Sequence, residues 1–112
     1  MNKIDIKPLS VNDAYRGRRF ATRELSKFKQ DLAILLPRDL SVPDECLAVE
    51  YEFGVSSRAS DCDNLIKAFQ DAIAEFYDFN DKMICKITAI KRLVSKGQEY
   101  VKFKIESYDE QT

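Results

Sequence analysis

The chain has 112 residues, 45% of them hydrophobic and 33% charged, and a net charge of −1, which fits one globular domain spanning 1–112. It contains no histidine, so Ser-His-Asp and Cys-His catalysis, imidazole zinc sites and histidine-base nucleases are excluded. Its three glycines, Gly17, Gly54 and Gly97, are too scattered for a Walker loop or a dinucleotide fingerprint, and no nucleotide cofactor is expected.

In chain order, Ile4 and Ile6 alternate with polar neighbours and predict a strand over residues 2–7. Residues 8–20 read as a long polar loop. Over 22–36, Leu25, Phe28, Leu32, Leu35 and Leu36 keep helical spacing, and Pro37 ends the helix. Leu47, Val49, Tyr51, Phe53 and Val55 then alternate, the clearest strand in the chain. A small-residue loop over 54–60 leads to a second helix, residues 63–77. Leu65, Ile66, Phe69, Ala72, Ile73 and Phe76 form its apolar stripe, with Asp63, Lys67 and Asp71 on the opposite side. After a turn over 78–81, residues 82–94 predict a third strand and 95–98 a hairpin turn. Val101, Phe103 and Ile105 alternate in a fourth strand, and a polar tail follows. The order β-α-β-α-β-β predicts an α+β (mixed α/β) domain, a mixed sheet with two helices packed on it.

Charge is segregated along this order. Residues 1–38 carry nine Lys/Arg against four Asp/Glu, residues 39–81 two against eleven, and residues 82–112 seven against four. An acidic middle between basic ends suits a cation-binding carboxylate cluster beside a surface for an anionic polymer. The densest basic stretch is Tyr15-Arg16-Gly17-Arg18-Arg19-Phe20, where arginines stand beside aromatics as phosphate binding and base stacking require. Cys46, Cys62 and Cys85 form no CxxC pair and read as reduced thiols of a cytoplasmic protein. No secretory segment opens the chain and no apolar run reaches bilayer length, so no membrane partner is expected.

What remains for chemistry is carboxylate, lysine and metal. Ser60-Asp61-Cys62-Asp63-Asn64-Leu65-Ile66-Lys67 sets two aspartates at a helix start, with a lysine one turn later on the same face. Each part also has a purely structural explanation: an aspartate caps free N–H groups, and Asp63–Lys67 is an ordinary i,i+4 pair worth a few tenths of a kcal/mol. Two aspartates where one cap suffices, however, repel one another unless a cation lies between them. Asp81 precedes the next strand and would return to the helix start if that strand runs alongside it. Three carboxylates and a lysine suit Mg²⁺, which takes oxygen ligands and activates water for attack on a phosphodiester. Cys62 is expected to point away, because Mg²⁺ prefers oxygen to thiolate.

The segment Asp61-Cys62-Asp63-Asn64-Leu65-x-Lys67-Ala68, with Asp81 fourteen residues after the lysine, resembles the signature of the RusA-type Holliday-junction resolvases. The stretch Lys7-Pro8-Leu9-Ser10-Val11-Asn12, with Tyr15 and the following arginines, resembles the start of phage-borne members. The resemblance implies that Asp61, Asp63 and Asp81 are metal ligands and that Lys67 completes the catalytic set. Asn64 matches the asparagine after the second aspartate, while Asn80 stands where many relatives carry an acid. It further implies a homodimeric, Mg²⁺-dependent endodeoxyribonuclease, with Mn²⁺ as a substitute, placing paired symmetric nicks across branched DNA in a bacterial or phage-infected cell. Asn12, Tyr15, Arg16, Arg18, Arg19 and Arg23 are the DNA-binding candidates; Lys82, Lys86, Lys91 and Lys96 are weaker ones, since strand lysines often only protect an edge. The alternatives are a non-catalytic branched-DNA-binding module related to resolvases and a hydrolase of small phosphate esters.

Overall fold

The alternating segment Leu47–Val55 becomes the strand around which the chain is organised. A computed structural model describes residues 1–16 and 20–109, with the backbone alone at 15, 16, 20 and 21. The elements are β1 (Asn2–Ile4), α1 (Val11–Ala14), β2 (Tyr15–Arg16), β3 (Phe20–Ala21), α2 (Arg23–Leu35), β4 (Leu47–Val55), α3 (Cys62–Phe76), a 3₁₀ turn (Asp81–Met83), β5 (Ile84–Leu93) and β6 (Tyr100–Ser107). The main sheet has the order β1-β6-β4-β5. β4 pairs antiparallel with β6 and parallel with β5, so the sheet is mixed and the domain is α+β.

Period-2 alternation sends Val49, Tyr51, Phe53 and Val55 to one face of β4, and all four are buried. α3 covers them through Leu65, Phe69, Ala72 and Ile73, and α2 adds Phe28 and Leu32 to the same core. The Phe69 ring meets Tyr51 and Phe103 edge-on, each at 5.6 Å between centroids, a geometry that favours aromatic pairs beyond their buried area. Tyr51 is the one polar side chain in this cluster, and its hydroxyl donates to Gln70 Oε1 at 2.9 Å.

The other face of the sheet carries a buried carboxylate. Glu52 is 8% exposed and accepts from Tyr100 Oη at 2.5 Å, with Arg92 Nε at 3.3 Å and Lys102 Nζ at 3.5 Å. The Tyr100 hydrogen bond, reinforced by the two cations, holds Glu52 below the usual carboxylate range. Three partners offset what an unpaired buried charge would cost. Gly54 is required here, because a Cβ at that position would lie 2.4 Å from the Tyr100 ring.

Three details depart from the sequence expectation. The first strand stops at Ile4, although Ile6 is still buried. The expected polar loop over 8–20 contains α1 and the two-stranded β2–β3 ribbon. Thr22 closes the ribbon's base: its N–H and hydroxyl both donate to Ala14 O, and its Oγ accepts from Leu25 N as the N-cap of α2.

The third departure concerns β5 and β6, which do not form a hairpin. The turn at 95–98 is made, with Gln98 N–H donating to Ser95 O at 2.9 Å and Gly97 at φ +93°. The connection nevertheless crosses the end of β4, where Val94 N–H donates to Val55 O at 2.7 Å. The α3 crossover lays β5 parallel along one side of β4, which leaves only the other side for β6. No helix among the described residues is long and apolar enough to cross a membrane.

Candidate active site

β4 ends at Val55, and the loop over 56–60 delivers the chain to the start of α3 at the same end of the sheet. Asp61 is the N-cap residue, with the extended backbone of that position (φ −76°, ψ 139°), yet its side chain makes no capping hydrogen bond. Asp63 lies in the first turn. Both aspartates are exposed. The helix macrodipole favours negative charge here, but the usual structural use of an N-cap carboxylate, accepting from the N2 or N3 amide, is not made.

The loop is tied down from the sheet. Lys91 of β5 donates from Nζ to Ser60 O at 2.6 Å and to Arg58 O at 3.4 Å. The sequence reading gave Lys91 only an edge-protection or weak DNA role; the signal it lacked was the parallel β4–β5 register, which sets Lys91 beside Phe53 near the loop. Cys62, between the two aspartates, packs against the core. Burial pushes its thiol up, against the pull of Lys91 and with the push of Asp63.

Lys67 is one turn beyond Asp63 and exposed, and its Nζ lies 3.0 Å from Asp71 Oδ1, the next turn on. The acidic and basic groups on this face thus continue as a stripe, Asp63, Lys67, Asp71.

Asp81 is elsewhere, which corrects the expectation that it returns to the helix start. In a parallel crossover the helix runs against its strands, and its two connections leave from opposite ends of the sheet. β5 begins beside Leu47, the first residue of β4, whereas Asp61 follows the last. With 15 residues in α3, the two ends of the helix are about 20 Å apart at 1.5 Å per residue. Asp81 instead lines a shallow surface cavity with Lys29, Asp71, Glu75 and Asp78. Among the described residues, no three His, Cys, Asp or Glu side chains are gathered to hold a metal ion. Two carboxylates, those of Asp61 and Asp63, do belong to the start of α3. One or two carboxylates, with water filling the remaining positions, is a usual protein ligand set for Mg²⁺, so Asp61 and Asp63 fit that ion.

The region around Asp81 is closed by local hydrogen bonds. Asp78 has φ +54°, Tyr77 N–H donates to Ile73 O at 2.9 Å and Phe79 N–H to Ala74 O at 3.0 Å. This is a helix end with a left-handed residue after the cap. Asn80 caps the 3₁₀ turn by accepting from Lys82 N at 2.9 Å.

Of the DNA-binding candidates, Asn12 lies exposed on α1 and Arg23 exposed at the first position of α2. Tyr15 and Arg16 form β2, and Arg18 and Arg19 lie outside the described residues. α1, which precedes β2, packs against α3, the helix that carries Asp63 and Lys67.

Fold and site together describe a small α+β protein without histidine, in which two exposed carboxylates open a helix. The family model for endodeoxyribonuclease RusA matches residues 10–106, a span that includes Asp61, Asp63, Lys67 and Asp81, and the chain belongs to that family of Holliday-junction-resolving endonucleases. No curated protein is similar enough to the chain to count as a match.

Proposed function

We propose that the protein is a Mg²⁺-dependent, homodimeric resolvase that cuts four-way DNA junctions by paired symmetric nicks. The observation that carries this reading is the start of α3. Asp61 and Asp63 are exposed, adjacent and of like charge, and Asp61 does not use its carboxylate as a cap. Asp61 and Asp63 would hold the ion, which when bound neutralises the scissile phosphate and makes a nearby water more acidic. Mn²⁺ would substitute. Lys67, one turn along the same face, offsets the charge that builds on the phosphate oxygens during in-line displacement. Hydrolysis leaves 5′-phosphate and 3′-hydroxyl ends.

A two-fold symmetric junction needs two equivalent nicks, and a two-fold dimer supplies them. The dimer also answers the placement of Asp81. Separated from Asp61 and Asp63 of its own chain by the length of α3, it joins those of the second protomer. Asn12, Tyr15, Arg16, Arg18, Arg19 and Arg23 form the surface that meets the junction arms. Cytoplasmic DNA of a bacterial or phage-infected cell is the setting this substrate implies.

The test is incubation of the purified protein with an end-labelled four-way junction and with a linear duplex of matched sequence, with and without Mg²⁺. Symmetric nicks in the junction alone, and only with the metal, are expected. Tight junction binding with no cleavage in Mg²⁺ or Mn²⁺ would make the protein a non-catalytic branched-DNA-binding module.

A further inference from the structure

The buried Glu52 network takes no part in the chemistry proposed above. It lies on the face of the main sheet turned away from α2 and α3. Strand register sets Lys3, Lys102, Glu52 and Ile90 in one row across β1, β6, β4 and β5, and Tyr100, Gly54 and Arg92 in the next. This face is open: Lys3, Lys86, Thr88, Ile90, Arg92 and Lys104 on it are exposed. Tyr100 and Glu52 are nevertheless buried there, among cations. The Lys3 and Lys102 ammonium groups stand 5.1 and 5.5 Å from the centroid of the Tyr100 ring, within the ~6 Å at which an aromatic face attracts a cation. Lys102 and Arg92 also reach the Glu52 carboxylate, to which the Tyr100 hydroxyl donates. Three cations thus gather around one carboxylate and one ring, on a chain whose net charge is −1. Neutralising Glu52 would take one. The side chains of Arg92 and Lys3 remain 62% and 54% exposed, so their charge is accessible. Lys3 also lies 4.0 Å from the exposed Asp5, a surface pair worth little.

The cluster stands at the end of the sheet that leads into Asp61. Tyr100 and Arg92 are level with Gly54, the penultimate residue of β4. Lys91, the neighbour of Arg92, turns to the other face and holds the carbonyl of Ser60, the residue before Asp61. Successive residues of one strand therefore carry the anchor of the aspartate loop and a cation of the open face. The other carboxylates of this face, Glu50 and Glu106, lie around Lys104, farther toward the opposite end of the sheet.

We infer that Lys3, Arg92 and Lys102 hold the phosphate backbone of duplex DNA against the open face of the sheet, a second contact surface besides the one formed by residues 12–23. The inference rests on the resolvase reading above and names where an arm of the substrate lies. Charge complementarity selects the occupant. From β1 to β5 is three strand spacings, about 14 Å, or roughly four steps of a DNA strand at 3.4 Å each. Cations spread over that width match a repeating polyanion, not one small anion. Glu52 does not face the phosphates as a free carboxylate, because the Tyr100 hydroxyl and two cations occupy it. Its use is to hold the cations in place before DNA arrives, so that less side-chain freedom is lost on binding.

The test is titration of a fluorescently labelled four-way junction at a series of salt concentrations, in an Asp61→Asn background that binds without cutting. Lys3→Gln/Lys102→Gln leaves Arg92 and Tyr100 on Glu52. It is expected to flatten the slope of log K against log salt by about 1.8, at roughly 0.9 per lost phosphate contact. Lys27→Gln/Arg38→Gln removes the same charge from exposed positions on and just after α2 and is expected to leave the slope unchanged. If the first double variant does not fold, Lys3→Gln alone, outside the hydrogen bonds of Glu52, is expected to flatten the slope by about 0.9. A folded variant with an unchanged slope, or one flattened no more than the α2 control, overturns the sheet-face contact and leaves the resolvase reading standing. So does a variant whose oligomeric state changes in light scattering, which would make this face a contact between copies of the chain. A parent chain with no salt-dependent affinity for the junction overturns both.

Discussion

The two ends of α3 are built on different principles. The C-terminal end is closed: Tyr77 and Phe79 amides return to the helix, Asp78 takes the left-handed conformation, and Asn80 caps the following turn. The N-terminal end has more charge than folding requires and uses less of it. Asp61 occupies the cap position without making the cap bond, Asp63 follows in the first turn, and the loop before them is fixed by a lysine from the neighbouring strand. In the first region Asn80 is committed to a backbone amide, whereas in the second the carboxylate of Asp61 makes no such bond. A carboxylate whose local structural role is unfilled is a better candidate for chemistry than one already committed to a cap.

The contrast is broken most severely by Asp61→Asn. Junction cleavage is expected to fall by about 100-fold or more, with junction binding kept or tightened because repulsion toward phosphate is reduced. Stability is expected to stay within about 0.5 kcal/mol of wild type, since no cap bond is lost. Gel-based cleavage and thermal melting on the same preparation check both. A loss of stability together with retained cleavage would make Asp61 a cap after all.

Lys91→Met sharpens the comparison by loosening the N-terminal end without touching an aspartate. It removes the hydrogen bonds to Ser60 and Arg58 carbonyls and keeps most of the stem. Cleavage is expected to drop roughly tenfold through misplacement of Asp61 and Asp63, and stability by about 1 kcal/mol. Single-turnover rates at saturating enzyme separate this from weaker binding.

At the closed end the expected effects are on stability. Asn80→Ala removes the acceptor that caps the 3₁₀ turn and is expected to cost about 1 kcal/mol, measured by urea unfolding. Asn80→Asp keeps an acceptor and is expected to cost less. The smallest effect is Asp78→Gly, expected to stabilise by about 0.5 kcal/mol because glycine takes the left-handed backbone at lower cost. A destabilised Asp78→Gly would mean that the aspartate side chain contributes more than its backbone costs.

Much of this was legible in the sequence where one physical signal dominates. The period-2 run of Leu47, Val49, Tyr51, Phe53 and Val55 and the 3.6-period stripe of α3 both became what they predicted, because each buries one face against the other. α2 was equally plain, with five apolar positions at helical spacing and Pro37 behind its end. The signature around Asp61, Asp63 and Lys67 gave the family. Strand order was not legible: alternation in residues 101–105 says that β6 is a strand, but not that β4 intervenes between it and β5. The location of Asp81 went wrong for a related reason. A strand running alongside was expected to bring Asp81 back to the helix start, whereas a parallel crossover sends the chain after α3 to the opposite end of the sheet. The short β2–β3 ribbon was hidden because two-residue strands carry no periodicity.

The central claim is that Asp61 and Asp63 of one protomer work with Asp81 of the other. Subunit mixing tests it most directly. Asp61→Asn and Asp81→Asn homodimers are each expected to be inactive on a four-way junction. Co-expressed with different affinity tags and purified through both, the mixed dimer contains one site with both substitutions and one with neither. The account predicts that this mixed dimer nicks one strand of the junction in Mg²⁺. A mixed dimer as inactive as its parents would contradict it, placing all three aspartates in the same protomer's site, and an Asp81→Asn homodimer that still cuts would put Asp81 outside the site altogether.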